Sequence, residues 1–180
     1  MYPERRRALL SRFFSGLTEQ TFQTELGVAD PPLIDYVAEL LVRFVRNDAI
    51  FRIRNLTGRR LEEIAEMLAE AQHRLGDRQR EVHRHIGDFA LFWTGLYPEA
   101  LQQLQAADRK DWFVDYCEQG KRSYYIASTM RSDENAQQCE VLQRLSERFE
   151  LCAYGLSEVR RRWQLRESED EQTPPGLLWN

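Results

Sequence analysis

Residues 83–99 read HRHIGDFALFWTGLYPE, and the way this stretch is wound decides the fold. Turned at about 100° per residue, Val82, Ile86, Phe89, Trp93 and Leu96 fall on one apolar seam. Gly87, Ala90 and Thr94 form a second face of small residues, about a third of a turn away. A face without bulky side chains lets another helix approach closely, so this segment has two packing surfaces and belongs at the centre of a helical bundle.

Working outward, helical spacing recurs along the chain. Leu9, Leu10, Phe13, Phe14 and Leu17 stripe a first short helix, and residues 18–30 read as irregular because Gly27 interrupts them. Asp30-Pro31 is a start signal, a capping side chain followed by proline at the first helical position. Leu33, Val37, Leu40, Leu41, Phe44 and Val45 then share a face. The segment DAIFRIRNL reads as an extended connection. Thr57 is expected to cap a helix with core positions Leu61, Ile64, Ala65, Leu68 and Ala71, ending at Gly76. Asp77 opens the central helix, which stops between Gly95 and Pro98. A short helix over 99–105 follows, and Asp108 and Asp111 start another that reaches Thr129. Leu142, Leu145, Phe149, Cys152, Leu156, Val159 and Trp163 step by alternating threes and fours, the a/d spacing of one long helix. The expectation is an all-α protein, an irregular bundle of six to seven helices with a long, heptad-patterned C-terminal helix. Residues 1–166 form its single domain. Residues 167–180 read as an acidic, flexible tail whose tip, Leu177-Leu178-Trp179, could enter a partner's groove.

Composition narrows the function classes. The chain has 180 residues, enough to bury a core unaided, and 25 basic against 29 acidic side chains give a net charge of −4. A nucleic-acid binder would show a basic excess, so nucleic acid is not an expected partner. Three well-separated cysteines without a CxxC pair suit reduced thiols in the cytoplasm. No apolar run approaches the length of a transmembrane span. The basic and apolar mixture over residues 5–17 would suit a membrane surface, but suits docking on the bundle equally.

Several polar groups are candidates for chemistry. His83 and His85 point to opposite sides of a helix and cannot share one ion. Glu81, His85 and Asp88, spaced i, i+4, i+7, share a flank and could bind a metal or tune the imidazole as a base. Arg84 reaches both carboxylates, which favours a salt-bridge network around a half-buried histidine. Glu70-x-x-His73 has the spacing of a di-iron ligand pair. It faces away from the core, with Glu62, Glu63 and Glu66, and reads as a solvated acidic surface. Trp93, Tyr97, Tyr124 and Tyr125 are candidates to line a small-ligand pocket, and Lys121 with Arg122 to hold an anion. Gly120 in mid-helix implies close packing, against the small face of residues 87–94. Glu118 beside Cys117 would raise the thiol pKa, disfavouring a nucleophile. No metal ligand set and no cofactor is assigned.

The segments GDFALFWTGLYPEAL and YCEQGKRSYYIAS, through Gly87, Asp88, Phe89, Leu91, Phe92, Gly95, Tyr97, Pro98, Glu99, Gly120 and Tyr124, resemble a family of uncharacterised bacterial all-helical proteins. The resemblance spans about residues 33–128 and implies a helical fold without implying an activity, cofactor or catalytic residue. The functional expectation is a binding or scaffolding protein acting through protein–protein contacts with another protein or with itself. The alternative is a metal-binding or acid/base enzyme built on Glu81, His85 and Asp88.

Overall fold

The computed structural model describes residues 2–45 and 47–169, and the 177–179 tip lies outside them. Among the described residues the fold is all-α without a strand; an isolated antiparallel bridge pairs Arg54 with Arg60. The helices are α1 (Tyr2–Glu19), α2 (Pro31–Phe44), α3 (Asn47–Ile50), α4 (Ile64–Gln72), α5 (Gly76–Leu96), α6 (Leu101–Leu104), α7 (Tyr116–Thr129), α8 (Ala136–Glu147) and α9 (Phe149–Glu169). No helix among the described residues is long and apolar enough to cross a membrane.

The central position expected for residues 83–99 holds. α5 is contacted by α2, α4, α7 and α9, and Val82, Ile86, Phe89 and Leu96 are buried along its seam. Its small residues set the spacing to its neighbours. A Cβ on Gly87 would stand 2.5 Å from the ring of Tyr124, and one on Gly95 2.8 Å from Leu156. Gly120 of α7 answers in kind, with a Cβ position 2.8 Å from Ala90 and 2.6 Å from the Phe149 ring. The glycine that weakens α7 as a helix is what lets α7 lie against α5.

Elsewhere local pattern and structure part. The seven heptad positions are all buried, but they do not form one helix: the chain leaves regular helix at Arg148 (φ −116°, ψ 28°). The two halves have different neighbours. α8 packs mainly on α7, while α9 packs on α5 and α1, so the break lets each half turn its apolar positions to its own partner. α9 runs through Glu169, three residues past the expected end of the domain. Residues 20–25, expected to be irregular, continue α1 as a π-helical turn that buries Phe22, whose ring fills the space above Gly155. The stripe of α1 docks inward through Phe14 and Leu17, with Phe14 set edge-on to Trp163 at 5.2 Å. Thr57 does not cap α4. It bonds to Asn55 within a turn, and α4 begins seven residues later.

Gly120→Ala tests the close approach. Helix propensity alone predicts a gain of up to about 1 kcal/mol. The expected outcome is a loss of about 1–3 kcal/mol from overpacking, read as a lower denaturation midpoint with unchanged helical circular dichroism.

Candidate functional site

The buried polar centre of the protein is Asp88, a carboxylate with no exposed surface on α5. Its Oδ1 accepts hydrogen bonds from the Tyr36 hydroxyl of α2 at 2.7 Å and the Tyr124 hydroxyl of α7 at 2.8 Å. Its Oδ2 accepts from Arg43 Nη1 at 3.1 Å, and the Arg43 guanidinium lies 5.5 Å from the centre of the Tyr36 ring. Burial alone would raise the Asp88 pKa, but Arg43, Arg84 and the two phenols outweigh it and hold the group below the ordinary carboxylate range. The same burial, reinforced by the Asp88 charge, pushes both phenols far upward. The cluster therefore stays ionised at the carboxylate and protonated at the tyrosines across the physiological range. It is built to join three helices, with no group in it poised to exchange a proton near neutrality.

The Glu81–His85–Asp88 flank is not one constellation. The three side chains have separate partners. Glu81 is half-exposed and pairs with Arg52, Arg80 and Arg84. His85 donates from Nε2 to the Ile50 carbonyl at 2.8 Å and packs against Phe44 and Phe89. Burial, aided by Arg52, lowers its pKa to about 4, so it is a neutral strut between α3 and α5. His83 is also buried, and desolvation, then Arg122, lowers its pKa. Arg84 pairs with Glu81 at 2.7 Å as the spacing implied. Among the described residues no group of three His, Cys, Asp or Glu side chains is placed to hold a metal.

The proposed aromatic pocket also separates. Tyr124 is committed to Asp88, Tyr125 is exposed, and Trp93 and Tyr97 stack near each other at 6.1 Å by the far end of α5. Lys121 is paired with Glu150 at 2.7 Å and with Glu118 at 3.9 Å, two carboxylates that leave no positive surplus for an anion shared with Arg122. Cys117 is raised to about 11, by burial and then by Glu150 rather than its sequence neighbour. The acidic face of α4 is less solvated than expected. Glu66 lies under Arg59 and Lys110, and Glu70 is buried and paired with Arg74. A shallow depression of ~300 Å³ beside them is lined by these already paired carboxylates.

A second buried carboxylate, Asp111, lies in the connection between α6 and α7. Its two oxygens accept from the Ile64 and Ala65 amides at 2.8 Å each and from the Tyr116 hydroxyl at 2.6 Å. It thus caps α4 from 47 positions along the chain. Glu63 Oε2 returns the contact by accepting from the Lys110 and Asp111 amides. This pinned loop carries Trp112 and Phe113 outward, 57% and 74% exposed, with their rings edge-to-face at 5.3 Å. From sequence Asp111 reads as a helix start and Phe113 as the first position of a helical stripe through Cys117, Gly120, Tyr124 and Ala127, but the helix begins only at Tyr116 and Phe113 faces solvent. The available signal is a pair of adjacent aromatics after a charged loop, of which Trp112 falls off the helical spacing that Phe113 shares. Tyr36 was equally missed, although a tyrosine on a core face needs a partner for its hydroxyl.

No protein family, curated protein or solved structure matches this chain.

Two outcomes follow from the buried charges. Asp88→Asn leaves Arg43 without its counter-charge and is expected to cost about 3–5 kcal/mol in chemical denaturation. Tyr36→Phe should cost less, about 1–3 kcal/mol. The histidine gives a pH signature. Because His85 binds its proton less readily folded than unfolded, its stability contribution is complete above pH 6.5, the ordinary value. It is lost as pH falls toward about 4, on the order of 3 kcal/mol in all. His85→Gln, which can still donate to Ile50, should flatten the stability profile over that window. The residual slope is that of His83, which is shifted in the same direction, joined toward the acid end by the carboxylates held low in the fold, Asp88, Glu66, Glu99 and Glu150.

Proposed function

We propose that the protein is a cytoplasmic binding or scaffolding module that engages another protein through the Trp112–Phe113 loop. The observation that supports this reading is the pairing of exposure with rigidity. Large aromatics are the side chains that carry most binding energy at protein interfaces. Solvent-facing aromatics usually belong to mobile segments, but here the intervening backbone is fixed by Asp111 and Glu63. A partner then gains aromatic burial without the cost of ordering the loop. The partner chemistry that fits is a protein surface with an apolar cleft for two rings. Lys110 on one side and the exposed Asp115 on the other offer polar contacts at its rim. The buried, hydrogen-bonded state of Asp88 and His85 supports a structural part for the polar residues of α5.

The test is photocrosslinking from a benzophenone amino acid at Phe113 in cells, followed by mass spectrometry of the adduct. A defined protein adduct is expected, and affinity for that protein, purified, should fall roughly tenfold or more in Trp112→Ser/Phe113→Ser. Because both side chains face solvent, the double variant should keep its stability to within about 1 kcal/mol. Undiminished affinity in a folded double variant would refute the assignment.

A further inference from the structure

We infer that the face shared by α5 and the chain between α3 and α4 binds a phosphate-class oxyanion through Arg52 and Arg84. Three guanidiniums converge on the one carboxylate of Glu81. Arg84 Nη2 and Arg52 Nη2 reach the same oxygen, Oε2, at 2.7 and 3.2 Å, while Arg80 Nη1 takes Oε1 at 3.2 Å. The two Nη2 atoms on Oε2 are therefore within about 6 Å of each other. Two turns further along α5, Arg43 and Asp88 form a separate, charge-balanced pair. Three guanidiniums thus share the Glu81 carboxylate, leaving a surplus of two positive charges at one place on a chain whose net charge is −4.

The surplus is presented in a graded way. Arg80 is nearly enclosed, and its Nη2 is turned to Gln138 and Cys139, so it acts as fixed background charge. Arg52 and Arg84 keep 37% and 13% of their side-chain surface exposed, so neither is closed off from solvent. Among the described residues the exposed Asp77, one turn before Glu81, makes no ion pair with any of the three arginines. A guanidinium fork matches the geometry of a phosphate oxygen pair. The charge surplus of two suits a phosphate, which carries between one and two negative charges near neutrality, better than a single carboxylate.

A phosphate group could arrive free, on a small soluble molecule, or as a lipid headgroup. The experiment is calorimetric titration of the whole protein with inorganic phosphate at fixed ionic strength held with chloride, beside flotation with phosphatidylcholine vesicles containing phosphatidic acid. Arg52→Gln is the primary variant because its side chain is exposed and its loss spares the core; Arg84→Gln is the second. Saturable phosphate binding that weakens roughly tenfold in Arg52→Gln supports a soluble ligand, as expected for one lost charge-assisted bond. Vesicle binding without free-phosphate binding, lost in the same variant, supports a headgroup at the same site. Binding to neither probe, or equal binding by wild type and both folded variants, overturns the inference.

Discussion

Removing a carboxylate from water costs several kcal/mol, and the cost is recovered only when charge and hydrogen bonds replace the lost solvent. Asp88 meets that condition through a single arrangement of three helices. α2 supplies Tyr36 and Arg43, α7 supplies Tyr124, and α5 holds the acid itself. Slide either neighbour by a turn and the acid is left buried without partners. The interaction also depends on its sequence neighbour Gly87, since any side chain there would collide with the Tyr124 ring. The small residue and the buried charge are two halves of one device: the first admits the phenol, the second fixes its position.

The apolar frame was legible because it is local. The seam of α5, the face of α2 and the seven heptad positions repeat at helical spacing, and burial follows that spacing. Gly120 was legible for the same reason, as an anomaly inside a periodic segment. What resisted reading were the bonds between distant segments. Asp88 stood out as polar beside an apolar seam, but its partners are at 36, 43 and 124, and no periodicity links them. Asp111 has the chemistry of a helix cap, as read, but caps a helix that precedes it. The break at Arg148 was hidden because a/d spacing continues across it; only the change of neighbour from α7 to α5 and α1 explains it.

The titratable groups divide the molecule into two electrical regimes. In the interior, burial and paired charges drive Asp88 down, the phenols up and His85 down, so every charge state is fixed well away from neutral pH. At the rim of the same helix, guanidiniums outnumber carboxylates and remain partly hydrated. The interior sets shape, and the rim sets the field a solute meets.

The cap that Asp111 places on α4 has a thermodynamic consequence. The Ile64 and Ala65 amides and the aromatic pair depend on one carboxylate, so the first turn of α4 and the 110–115 loop open together as a cooperative unit. Linkage is reciprocal. Any occupant that clamps Trp112 and Phe113 must also slow hydrogen exchange at Ile64 and Ala65. Loosening the start of α4 must, by the same relation, weaken the occupant's hold.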